Sequence, residues 1–193
     1  KDSIGFHIEP LTEDIEEDFD IFRGGGFTVD MEGTREWCAL ADSIFGDILP
    51  SRIMQASLRG AITNPLVKLV NMETYYMSMY DCPEKLHELM DMATKVYERY
   101  YDYLEENKLL LPTNGFSSVA QESFAFTDEL PAEGEITSTK QIWGFLESQE
   151  TTAVSPETYG EFVYPYQDRL VKRYGLLSYG CCERVDAIRE DYL

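Results

Sequence analysis

The sequence predicts an α/β fold built on parallel strands, and three observations carry that expectation. Amphipathic helical periods recur along the chain, most of them end at Gly or Asn, and a short run of apolar residues follows each one directly. Such apolar runs, with no polar alternation, fit strands covered on both faces.

The first unit covers residues 32–45, where Trp37, Leu40, Ala41, Ile44 and Phe45 fall at helical spacing. Gly46 stops it, and Asp47-Ile48-Leu49-Pro50 reads as the strand that follows. The second unit is the clearest. Asp81 is the expected N-cap, Pro83 suits the first turn, and Leu86, Leu89, Met90, Ala93, Val96, Tyr97, Tyr100 and Leu104 form the apolar stripe. Asn107 closes it, and Lys108-Leu109-Leu110-Leu111 is the expected buried strand. The third begins at the cap Ser155-Pro156-Glu157, is bent by the interior Pro165, and stops at Gly175 before the strand Leu176-Leu177-Ser178-Tyr179. A further strand is expected at Ile142-Trp143-Gly144-Phe145-Leu146, and a new helix at residues 185–193. Two segments read as connections: residues 22–27, with three consecutive glycines, and residues 122–140, which mix acids, Pro131, Gly134 and hydroxyl side chains. Residues 1–29 form an irregular N-terminal segment ahead of the α/β unit at 30–193.

Charge excludes several functions. The 193 residues carry 36 Asp and Glu against 16 Lys and Arg, a net charge of −20. No basic stripe is available to neutralise phosphates, which argues against nucleic acid, and polybasic attraction to an anionic membrane is disfavoured in the same way. With 44% hydrophobic and 13% aromatic residues, the acidity belongs to the surface of a folded domain. No apolar run reaches the length of a membrane span. Four cysteines, Cys38, Cys82, Cys181 and Cys182, make no evenly spaced disulfide framework, which points to a reducing, cytoplasmic compartment.

In parallel α/β architectures the functional groups gather just beyond the C-terminal ends of the strands. Four exits therefore matter. Arg52 follows the first expected strand and Asn114 the second, and together with Tyr179 they are the candidates for holding substrate. Glu147, Gln149 and Glu150 follow the strand at 142–146, with the carboxylates suited to acid–base work and Gln149 to hydrogen bonding. Cys181-Cys182-Glu183 follow the last strand, and thiolates at a rigid strand end are good zinc ligands. His7 and His87 have no visible catalytic partner. Gly-rich phosphate loops, nucleophile elbows and paired-histidine zinc motifs are absent from the sequence.

Two stretches carry a family resemblance. Met79-Tyr80-Asp81-Cys82-Pro83-Glu84-Lys85-Leu86-His87-Glu88-Leu89-Met90 resembles the D-x-P-E helix start of the uroporphyrinogen decarboxylase superfamily. Ser155-Pro156-Glu157-Thr158-Tyr159-Gly160-Glu161-Phe162-Val163-Tyr164-Pro165-Tyr166 is similar to that superfamily's S-P-E-x-F-x-E-F-x-x-P-Y helix. Ser178-Tyr179-Gly180-Cys181-Cys182-Glu183 occupies the place of the strand-end H-x-C-G of its corrinoid methyltransferase branch, with Tyr179 where the histidine stands.

The resemblance implies a (β/α)8 TIM barrel, incomplete over 193 residues because such barrels usually need about 250. It also implies an enzyme in which zinc, held here by Cys181, Cys182 and Glu183, activates a thiol that takes a methyl group from a methyl-corrinoid partner protein. A homodimer is compatible with it. The alternative within the superfamily is decarboxylation of a porphyrinogen or a related anionic substrate in porphyrin biosynthesis. Against that branch stands the absence of its R-Q-A-G-R segment. A third reading, taken from length alone, is a non-catalytic fragment or interaction module. The missing initiator Met at Lys1 agrees with a piece of a longer chain.

Overall fold

The computed structural model describes residues 8–121 and 123–192. His7, the first residues of the chain, Glu122 and Leu193 lie outside the described residues.

Three parallel strands form the central sheet: β1 (Leu58–Arg59), β4 (Trp143–Leu146) and β5 (Leu176–Tyr179), in the order β1-β4-β5. Leu58 pairs with Gly144 and Arg59 with Phe145, while Trp143 to Leu146 run in register with Leu176 to Tyr179. A separate antiparallel hairpin joins β2 (Gly115–Ala120) to β3 (Ser123–Ala125).

Helices connect the strands. Before the sheet lies α1 (Met31–Phe45), then α2 (Thr63–Val70), α3 (Met72–Asp81) and α4 (Pro83–Glu106) between β1 and the hairpin. The β4–β5 crossover carries α5 (Pro156–Phe162) and α6 (Tyr164–Val171), and α7 (Arg189–Tyr192) follows β5.

A (β/α)8 barrel is not formed, and that expectation is corrected. Two of the four expected strands do not exist. Residues 109–113 enter no ladder: Pro112 has no N–H to donate, the Leu111 N–H goes to the Gln55 side chain at 2.9 Å, and Thr113 Oγ1 accepts the Trp143 N–H at 2.8 Å. At 47–50 the chain instead stays wound on the end of α1, with the N–H groups of Ile48 and Leu49 both returning to the Phe45 carbonyl. Three strands leave β1 and β5 as open edges, so nothing closes the sheet into a barrel.

The helices agree with their sequence signals, with local corrections. Ser155 caps α5 through the Thr158 N–H, and Pro165 sits in the first turn of α6, so the expected bend is a break at Val163. Asp81 is the last residue of α3 rather than the cap of α4, and Cys82 (φ −145°, ψ 59°) separates the two helices. The sequence pattern on α1 is helical, yet the helix buries none of its residues, and Trp37 is 73% exposed.

The core sits between the sheet and α2–α6. It contains Ile62, Leu66, Leu86, Met90, Ile142, Leu146, Val163 and Leu170, all essentially buried. Tyr174 lies flat against the strands, and a Cβ on Gly144 would come within 1.9 Å of its ring. Its hydroxyl is 2.7 Å from Tyr101 OH, which in turn donates to the Arg59 carbonyl at 2.7 Å, so α4 grips the end of β1. Arg169 holds α6 on α4 through Glu98 and Asp91, at 2.7 and 2.6 Å. No helix among the described residues is long and apolar enough to cross a membrane.

Candidate functional site

The three parallel strands end side by side, and their exits share one cleft. Arg59 closes β1, Glu147 follows β4, and Cys181 follows β5 after Gly180, whose φ of +120° favours glycine and turns the chain. Arg59, Asn64, Glu147, Gln149 and Cys181 line a cavity of about 330 Å³, closed on its far side by Ser118 to Gln121 of the hairpin.

Glu147 is the central group. Its side chain is 3% exposed, and its Oε1 accepts from Arg59 Nη2 at 2.6 Å. The guanidinium lies over the Phe145 ring, 5.4 Å from its centroid, which fits a cation on an aromatic face. Its main chain is fixed from behind: Gln167 Nε2 donates to the Glu147 carbonyl at 3.0 Å, and Tyr159 OH donates to Gln167 Oε1 at 2.8 Å. A buried carboxylate with one cation partner and a rigid backbone is a well-placed proton acceptor.

Cys181 stands beside it. Burial pushes its thiol up to about 11, with the Glu147 carboxylate and the Cys182 sulfur acting in the same direction, so at neutral pH it is a protonated S–H donor. Cys182 is exposed, and its Sγ is 3.9 Å from that of Cys181.

Glu183 and Glu150 are structural in this geometry. Glu183 accepts the Ser148 N–H on Oε1 at 3.0 Å and the Cys181 N–H on Oε2 at 2.8 Å, bridging two strand exits. Glu150 is buried and accepts from Thr63 Oγ1 and Asn64 Nδ2 at 2.9 and 2.7 Å, while its carbonyl takes the Tyr76 hydroxyl. Both carboxylates hold loops and helix starts in place.

The expected zinc set does not fit this arrangement. Both Glu183 oxygens already take backbone N–H groups. Among the described residues no group of three or more His, Cys, Asp or Glu is placed to hold a metal ion.

The substrate candidates scatter. Arg52 and Asn114 border a different cavity of about 560 Å³ under the hairpin, where Asn114 clamps the loop by donating to the Thr127 and Leu130 carbonyls. Tyr179 lines a small pocket of about 60 Å³ with Tyr159 and Glu183, and burial raises its hydroxyl far above the ordinary tyrosine range. His87 is accounted for by packing: its ring stacks on Phe162 and its Nδ1 meets Tyr166 OH at 2.8 Å.

Arg59, Asn64 and the hairpin wall were not legible as site residues. The strand that positions Arg59 is two residues long and leaves no periodicity. The only available signal was an arginine directly before Gly60 and a helix start. No family model, curated protein or solved structure matches this chain.

Proposed function

We propose that this chain carries the catalytic cleft of a small-molecule methyltransferase, a reading motivated by Cys181 at the β5 exit, acting on a thiol that bears an anionic group. The observation that supports this most is the convergence of Arg59, Glu147, Gln149 and Cys181, from the ends of three adjacent parallel strands, on one cavity. Arg59 is 60% exposed at its side chain and uses Nη2 on Glu147, which leaves the outer guanidinium face for a substrate carboxylate or sulfonate. Glu147 takes the proton that the substrate sulfur releases as its bond to the methyl carbon forms. The methyl group would come from a corrinoid on a partner protein. Gln149 and the Cys181 S–H donate hydrogen bonds to the substrate. The proposal places the chain in a reducing, cytoplasmic setting, where its four free thiols persist.

A second reading, decarboxylation of an anionic substrate such as a porphyrinogen, is favoured by Arg59 alone, an arginine at a strand exit. One experiment separates the two. Purified protein is given methylcobalamin and a mercaptocarboxylate, and the methyl thioether is read by mass spectrometry beside the cobalamin absorbance change. The first reading expects product with the native chain and a large loss with Glu147→Gln. No thioether, with carbon dioxide released from uroporphyrinogen instead, supports the second; neither product overturns both.

A further inference from the structure

We propose that Cys181 and Cys182 are a peroxide-sensitive dithiol that closes reversibly to a disulfide at the mouth of the cleft. The inference stands on the geometry of the β5 exit and does not depend on which reaction the cleft performs.

The two sulfurs are 3.9 Å apart, and a disulfide needs about 2.05 Å, so side-chain rotation and a small backbone twist bring them together. The segment can give. Gly180 precedes it at φ +120°, and residues 181–185 belong to neither helix nor strand. Adjacent Cα atoms are only about 3.8 Å apart, shorter than the usual separation across a disulfide. The ring is therefore strained and easily reduced, which suits a switch and not a permanent crosslink.

The two thiols have different surroundings. Cys182 is exposed and meets the oxidant first, whereas Cys181 lines the cleft beside Glu147. The Cys182 thiolate attacks one peroxide oxygen, the O–O bond breaks, and one water leaves, giving a sulfenic acid. The Cys181 sulfur then attacks the Cys182 sulfur, and its proton passes by way of Glu147 to the departing hydroxyl, which leaves as the second water. Two thiols lose two electrons and two protons in total, and one hydrogen peroxide is reduced to two waters.

The closure reaches the cleft through Glu183. That carboxylate holds both the Cys181 N–H and the Ser148 N–H. Twisting the Cys181 peptide pulls on the β4 exit that carries Glu147, and it removes the S–H donor from the cavity wall.

The test uses the full chain with its other cysteines as internal references. Protein is treated with hydrogen peroxide, free thiols are alkylated, and tryptic peptides are weighed. The peptide 174–184 is expected unalkylated and lighter by two hydrogens, restored by dithiothreitol, while the Cys38 and Cys82 peptides stay alkylated. With Cys181→Ser, Cys182 is expected to stop at the sulfenic acid and be trapped by dimedone. A 174–184 peptide that remains doubly alkylated overturns the proposal. So does a disulfide joining two chains through Cys182, or oxygen addition at Cys182 in the native chain without pairing.

Discussion

Arg59 Nη2 donates to Glu147 Oε1 at 2.6 Å, joining the ends of neighbouring strands β1 and β4 across the mouth of the cleft. The two partners differ in solvent access: 60% of the arginine side chain is exposed against 3% of the carboxylate. The arginine therefore gives up little hydration, while the glutamate relies on it for charge compensation. Removing the arginine leaves a buried carboxylate without its partner. Arg59→Ala is expected to lower stability by about 2 kcal/mol, less than for a fully buried pair because water reaches the site. Arg59→Ala combined with Glu147→Gln should recover part of that loss. Urea denaturation of the four members of the cycle checks this.

Gly144 is where the sheet accepts the Tyr174 ring. A Cβ there would sit 1.9 Å from Tyr174 Cδ2, and one on Gly60 would meet the Tyr174 hydroxyl at 2.4 Å. Gly144→Ala forces the ring off the strands and breaks the Tyr101–Tyr174 hydroxyl contact, at a cost of about 3 kcal/mol from overpacking and a lost buried hydrogen bond. A Tyr174→Ala background relieves the clash, so the added effect of Gly144→Ala there should fall below about 1 kcal/mol. Equal effects in both backgrounds, by thermal unfolding, would show that the ring is not the obstacle.

The sequence is most informative where local chemistry and packing agree. The Ser155 cap and Pro165 announce one bent helix, which the structure splits into α5 and α6, and the long stripe from Leu86 to Leu104 announces α4. It fails where tertiary hydrogen bonds decide. Leu109-Leu110-Leu111 looks like a strand, but Pro112 and the side chains of Gln55 and Thr113 divert its bonding. The site divides in the same way. Glu147, Gln149 and Cys181 follow from reading strand exits, because β4 and β5 are real. Arg52 and Asn114 follow expected strands that do not form, and they border another cavity. Arg59 was invisible because two residues cannot show a period.

Acid should weaken the molecule through two carboxylates. Burial alone would raise Asp91, but hydrogen bonds from Lys95 and Arg169 bring it below the ordinary range. Burial likewise opposes Glu105, whose carboxylate is lowered by Thr139, Arg173 and Ser138. A carboxylate lowered on folding adds stability that is complete above its unfolded value and is lost as pH falls through its folded value. Stability is therefore expected to drop below about pH 4. Asp91→Asn and Glu105→Gln should be less stable at pH 7 and should each show a shallower drop below that point. Denaturation series across pH 2–7, taken at constant ionic strength, measure the slope; unchanged slopes would remove these two groups from the acid response.

The Cys181 thiol gives a complementary dependence on the alkaline side. Burial, the Glu147 carboxylate and the Cys182 sulfur hold its titration up at about 11, and alkylation proceeds through the thiolate. Iodoacetamide should therefore modify Cys181 slowly at pH 8, and its rate should keep rising tenfold per pH unit until the thiol titrates near 11. Glu147→Gln removes the facing negative charge, so the whole profile should move to lower pH and the rate at pH 8 should increase. Labelling followed at the 174–184 peptide, with exposed Cys182 replaced by Ser to isolate one sulfur, gives the profile directly. A plateau already reached at pH 8 in the Cys182→Ser chain, or a profile that Glu147→Gln leaves in place in that background, would mean that the carboxylate does not govern this thiol. The glutamate at the end of β4 would then have no electrostatic hold on the sulfur at the end of β5.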